Sequence, residues 1–163
     1  MLDHFDLIAS IYDRLIGPPD RERLQHLLKL PADGWLLDGG GGTGRVSSHL
    51  NGLVGHIVVS DLSHRMLKKA PEKEVRPVRA HVEHLPFADN FFDRILVVDA
   101  LHHFCDQREA IEDLLRVLKP GGRLVIGEPD LNHNGVKLLA LAEKIMRMRS
   151  HFYTPQKIRE RIA

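Results

Sequence analysis

The chain has 163 residues, 43% of them hydrophobic, with one cysteine, which reads as a single domain able to bury a core. Its 23 Lys and Arg nearly balance 22 Asp and Glu, so charge does not mark it as a nucleic-acid binder; the balance is nevertheless uneven, with 16 basic against 20 acidic residues over 1–130 and 7 against 2 over 131–163. No apolar stretch is long enough to span a bilayer, no basic segment followed by an apolar run signals a leader, and Cys105 has no partner for an internal disulfide, so a cytoplasmic protein is expected.

In chain order, Phe5, Ile8, Ala9, Tyr12 and Ile16 have helical spacing, and Gly17-Pro18-Pro19 ends that helix. Asp20 can cap a second helix running to Lys29. A strand over 34–38, a helix over 44–51, a strand over 56–60 and a helix over 63–70 follow. A third strand near 75–80 contains Pro77, which suits a sheet edge. Asp93 to Val98 is the fourth strand; the helix Gln107 to Leu118 stops at Pro120-Gly121-Gly122, and Arg123 to Gly127 is the fifth strand. His133 to Ser150 reads as a basic amphipathic helix, and a short helix starts near Tyr153. Alternating strands and helices predict an α/β fold with a parallel sheet covered on both faces.

The most telling stretch is Leu36-Leu37-Asp38-Gly39-Gly40-Gly41-Gly42-Thr43-Gly44, an apolar strand running into a carboxylate and a glycine turn. Glycines let the backbone take positive φ and let a ligand lie against bare main chain. The spacing alone is ambiguous: Gly40, Gly42 and Gly44 fit G-x-G-x-G, while Gly39, Gly41 and Gly44 fit the dinucleotide pattern. Asp38 decides between them, because a carboxylate there repels a pyrophosphate and suits a ligand carrying an amino group. Asp61 ends the second strand roughly 20 residues past the turn, the usual place for an acid that accepts hydrogen bonds from both ribose hydroxyls; it can also cap the helix after it. Asp38, Asp61, His81, Asp99 and Glu128 all fall at carboxyl ends of predicted strands, where ligands of such sheets bind.

Six stretches in order carry a family resemblance: Phe5-Asp6-x-Ile8-Ala9-x-x-Tyr12-Asp13, the glycine turn, Val59-Ser60-Asp61-Leu62-Ser63-x-x-Met66-Leu67, Glu83-x-Leu85-Pro86-Phe87-x-Asp89-x-x-Phe92-Asp93, Leu101-His102-His103-Phe104, and Arg116-Val117-Leu118-Lys119-Pro120-Gly121-Gly122. From about Phe5 to about Pro155 the chain resembles the S-adenosylmethionine-dependent methyltransferases of Rossmann-like fold, in particular the branch that includes the ubiquinone/menaquinone-biosynthesis enzymes. The resemblance implies a three-layer sandwich with strand order 3-2-1-4-5, S-adenosylmethionine as cofactor and a small-molecule methyl acceptor. It divides the chain into N-terminal lid helices (1–30), a cofactor-binding core (31–130) and basic C-terminal helices (131–163). It also implies that Asp38, Gly40 and Gly42 line the methionine end of the cofactor, that Asp61 binds the ribose, and that Leu62 and Met66 lie near the adenine. His81, Val82 and Glu83 would contact the adenine, His81 standing where the family usually has Asp, and Tyr12 would belong to a lid.

The cofactor supplies an activated methyl, so the protein mainly binds, aligns and excludes water. A phenol or carbon acid gains from proton removal, and Asp99, His102 and His103 are the candidate groups just past the fourth strand. Neither H-E-x-x-H nor Cys-x-x-Cys is present, so no metal site is expected, and Cys105 belongs to no catalytic motif.

The sequence after Gly127 carries helical patterns and leaves no room for the family's last two strands, so the chain is expected to be either a fragment or a naturally short form; in the short form the fifth strand becomes an edge, which a homodimer partner or the terminal helix is expected to cover. The basic helix suits a substrate cover, a peripheral contact with anionic lipid, or a plain packed helix with a solvated face. Two rival functions stand beside the methyltransferase: a catalytically silent S-adenosylmethionine-binding module or partner subunit, and a nicotinamide-dependent oxidoreductase, which Asp38 disfavours.

Overall fold

The computed structural model describes residues 19–128. The first predicted helix, with Tyr12, and the basic helix over 133–150 lie outside these residues. Five parallel strands form one sheet in the order β3-β2-β1-β4-β5: β1 Ala32–Gly39, β2 Val54–Asp61, β3 Arg76–Arg79, β4 Phe92–Val98 and β5 Leu118–Gly127. Among the described residues this is the expected order, with Pro77 on edge strand β3 and β5 last at the opposite end.

The strands alternate between two apolar layers. Leu37, Val58, Ile95 and Val97 pack with Ala110, Ile111, Leu114 and Val117 of helix α3, Gln107–Val117. Leu36, Ile57, Val59 and Leu96 pack on the other face with Leu24 and Leu28 of helix α1, Arg21–Leu28, and with Leu67 and Ala70. The period-two alternation of a strand therefore yields three layers, helix on sheet on helix. Asp20 caps α1 by accepting from Arg23 N, and Asp106 caps α3 by accepting from Arg108 N and Glu109 N.

Two predicted helices are shorter than the sequence implies. Over 44–51 the chain makes turns and then one 3-10 segment, Ser47–Leu50. Glycine, valine, two serines and asparagine are weak helix formers, and Ser48 Oγ bonds back to the Arg45 carbonyl at 3.4 Å. Over 63–70 the helix α2 is confined to His64–Leu67, and Ser63 rather than Asp61 caps it, its Oγ accepting from Met66 N. At the other end of the chain, β5 starts earlier than expected: Phe92 pairs with Leu118 and Arg94 with Arg123, so Pro120-Gly121-Gly122 sits inside an irregular stretch of the strand.

Several motif residues build the frame instead of the site. Arg116 donates to Asp113, Asp89 and the carbonyls of Leu85 and Phe87, holding the loop before β4 on α3. Asp93 accepts from Trp35 N at 2.9 Å and from Lys119 Nζ at 2.8 Å. Burial pushes its carboxyl up, but the Lys119 ammonium and the Trp35 amide outweigh that and hold it below the usual range. Gly34, at φ +98°, lies so close to Asp93 that a Cβ would collide with Oδ2. Gly34→Ala is expected to combine backbone strain with loss of this latch and to lower stability by roughly 2 kcal/mol or more; denaturant melts measure it, and an unchanged midpoint would contradict the account.

Candidate active site

The glycine turn leaves β1 and folds back on β2. The amides of Gly40 and Gly41 donate to the Ser60 carbonyl at 2.7 and 3.2 Å, Gly42 N donates to Asp61 Oδ2 at 2.9 Å, and Gly44 N donates to the Gly41 carbonyl. The fold spends these four on itself, so the turn is not a cradle for a pyrophosphate. What it presents instead is a floor of bare backbone beside two carboxylates.

A cavity of about 180 Å³ opens over this floor at the carboxyl ends of the strands. Ten of the thirteen predicted residues line it: Asp38, Gly40, Gly42, Asp61, Leu62, Met66, Val82, Glu83, Asp99 and His103. Leu62, Met66, Ala80 and Val82 give it an apolar side, and Arg45, Phe104 and Cys105 join the lining without having been singled out.

Asp38 is 1% exposed, and its Oδ2 has no hydrogen-bond partner. Gly41 is where it is because a Cβ there would collide with this carboxyl group. Burial pushes the carboxyl up to about 6, with Asp61 adding to the rise and Ser47 and Arg45 opposing it. A buried carboxylate oxygen lacking a hydrogen-bond partner is costly, and a cationic ligand group offsets the cost.

Asp61 is half-buried, and both its oxygens take backbone amides, Oδ2 from Gly42 and Oδ1 from Ser63 at 2.7 Å. Carboxylate oxygens also accept hydrogen bonds from hydroxyls. The same side chain therefore fixes the glycine turn and faces the cavity.

Asp99 stands at φ +53°, an uncommon conformation for a residue with a side chain, held by its N–H to the Gly127 carbonyl at 2.9 Å. Its Oδ2 lies 3.7 Å from Arg45 Nη2, and Arg45 is only 11% exposed. His103 lines the cavity; burial, reinforced by neighbouring His102, lowers its imidazole to about 3. It is a neutral ring at physiological pH, able to exchange hydrogen bonds but a weak base.

Two expected residues are placed elsewhere. His102 does not line the cavity: it is buried with Nδ1 2.5 Å from Glu128 Oε2, while Glu128 Oε1 accepts from Ala100 N and Leu101 N. The pair anchors the loop after β4 to the end of β5. His81 also stays out of the lining, its ring more than half exposed and 3.7 Å from Glu83. Tyr12 lies outside the described residues. Glu83 does line the cavity, but its carboxylate accepts from Cys105 N at 2.8 Å and Asp106 N at 3.3 Å, which makes it a brace between two walls. Glu128 is the residue whose role the sequence concealed; its position at a strand end was the only signal. Among the described residues no group of three or more His, Cys, Asp or Glu is placed to hold a metal ion, and no helix is long and apolar enough to cross a membrane.

The residues present suit S-adenosylmethionine. Its ammonium matches the partnerless oxygen of Asp38, its ribose the acceptor carboxylate of Asp61 at the cavity, and its adenine the apolar side at Leu62, Met66 and Val82.

Comparison with known proteins agrees. Residues 37–126 match the family model described as a methyltransferase domain. The ubiquinone/menaquinone biosynthesis C-methyltransferase of Vibrio cholerae is 38% identical over 104 residues, covering 57% of this chain and 40% of that enzyme. The chain thus spans about two fifths of the length of the curated relatives it matches. A methyltransferase structure from Thermotoga maritima, described as S-adenosylmethionine-dependent, superposes with a TM-score of 0.82 at 24% identity, over 97% of this chain and 77% of that one. The cyclase SpnF superposes at 0.68, with 24% identity and 76% and 57% coverage. Those two likenesses speak for the fold alone, which hosts more than one chemistry. The family match, covering more than half of the residues, carries the assignment: this chain belongs to the methyltransferase domain family, the S-adenosylmethionine-dependent methyltransferases of Rossmann-like fold.

Proposed function

We propose that the chain binds S-adenosylmethionine in the cavity over its glycine turn and transfers the methyl group to a small-molecule acceptor. The observation that carries this reading is the buried, partnerless oxygen of Asp38 beside a turn whose four glycine amides at 40, 41, 42 and 44 are already paired. That combination favours an ammonium over a phosphate.

When bound, the cofactor supplies a methyl group activated on a sulfonium. Asp38 holds the ammonium end and Asp61 the ribose. Gly40 and Gly42 leave room along the chain between them, and Leu62, Met66 and Val82 shield the adenine from water. The β4 loop brings Asp99 and His103 to the same cavity, where they orient the acceptor by hydrogen bonds. Of these two His103 is the poor proton acceptor, because its imidazole is held neutral. His103→Gln is therefore expected to leave the shape of the pH–rate profile between pH 5 and 8 unaltered; disappearance of a limb in that range would contradict the assignment. Tyr12 as a lid residue and a homodimer across β5 belong to the same proposal.

The similarity to C-methyltransferases of ubiquinone and menaquinone biosynthesis puts phenolic and quinol rings first among acceptors. Incubating the protein with S-adenosylmethionine and a panel of phenols, quinols, amines and thiols, and measuring S-adenosylhomocysteine, tests the reading. Turnover with one class supports it. The withdrawal of His102 from the cavity favours one rival, the silent binding module, which predicts cofactor binding with no turnover on any acceptor.

A further inference from the structure

Cys105 is exposed and lines the same cavity as Asp38, whose buried, partnerless Oδ2 marks that cavity as a ligand site. The backbone around it is held from two sides. Glu83 accepts from Cys105 N and Asp106 N, and Glu128 accepts from Ala100 N and Leu101 N a few residues earlier. These bonds oppose a retreat of the loop, so a group attached to this sulfur competes for space with whatever fills the cavity. Cysteine is also the side chain most open to soft electrophiles.

We propose that Cys105 is a modification site at which a soft electrophile, an activated alkene such as a maleimide or an enone, closes the cofactor cavity. The inference rests on the reading of the cavity as a cofactor site. In the step, the sulfur bonds to one alkene carbon as the π bond breaks, and the thiol proton ends on the neighbouring carbon. No oxidant and no leaving group are involved.

The test uses the full chain, whose single cysteine allows at most one thiol adduct. N-ethylmaleimide modification is followed by intact mass, with and without saturating S-adenosylhomocysteine, and calorimetry measures binding of S-adenosylhomocysteine before and after modification. The nucleoside is expected to slow modification at least about tenfold, and the adduct is expected to lose binding while keeping its melting temperature. Cys105→Ser should form no adduct and should bind equally before and after maleimide treatment. Equal rates with and without the nucleoside, or an adduct that still binds, would overturn the proposal while leaving the cofactor reading intact. Failure of the untreated protein to bind the nucleoside would sink the cofactor reading and this inference with it.

Discussion

Asp38→Asn is expected to make the free protein more stable and unable to hold S-adenosylmethionine. The folded state holds the Asp38 carboxyl at about 6, against 3.8 when unfolded, so ionising it works against folding. Its destabilising effect is absent below about pH 4, grows as pH rises through 6, and is complete by pH 7. A rise of about two units corresponds to about 3 kcal/mol. Asparagine has nearly the same shape and no charge. The variant should match wild type near pH 4 and exceed it by about 3 kcal/mol at pH 7.5. Denaturant melts across that range measure the gap. His103 slopes the opposite way: its pKa is lowered to about 3, so the stability it allows is lost as pH falls below 6.5. In wild type the two trends oppose each other between pH 4 and 6, and only the variants separate them. A gain in stability accompanied by loss of cofactor affinity is the pattern of a group kept for function at a cost to the fold. Equal stability of the two proteins at pH 7.5 would contradict the burial argument.

Glu128→Ala is expected to be the most damaging single change at the cavity wall. The carboxylate is 9% exposed and serves Ala100 N, Leu101 N and His102 Nδ1. Its removal strands two backbone amides and a buried imidazole, at a cost of roughly 3 kcal/mol or more. Asp99, Ala100, His103, Phe104 and Cys105 all line the cavity from this loop, so a loosened wall should reduce turnover more than it reduces cofactor affinity, since Asp38 and Asp61 stand on other strands. Glu128→Gln, which keeps an acceptor oxygen, should recover part of the loss. Wild-type melting and turnover in the alanine variant would show that the loop holds its shape without the carboxylate.

Much of the fold was legible because its signals are local. Apolar runs such as Leu36-Leu37 and Ile57-Val58-Val59, punctuated by Gly and Asp, locate the buried parallel strands, and the spacing of Ala110, Ile111, Leu114 and Val117 locates α3. The two helices beside the site were overestimated because the need to wrap the glycine turn onto Ser60 and Asp61 outweighs weak helix propensity there. For the site, position at a strand end brought Asp38, Asp61 and Asp99 to the cavity but not His81 or Glu128, and it said nothing of what each side chain bonds. Adjacent His102 and His103 look interchangeable in sequence, yet one turn sends the first into Glu128 and the second to the cavity. Glu83 and Glu128 spend their carboxylates on backbone amides far along the chain, and no periodicity or spacing announces such long-range pairings. Arg45, directly after the glycine turn, was passed over because it belongs to no recurring pattern, although its charge lies beside Asp99.

The central claim, that this cavity holds S-adenosylmethionine through Asp38 and Asp61, is tested most directly by calorimetric titration of S-adenosylmethionine and S-adenosylhomocysteine, with NAD as control, into wild type and Asp61→Ala. The account predicts that wild type binds the first two and not NAD, and that the variant loses both. Binding of NAD, or a folded wild-type protein that binds none of the three, would contradict it.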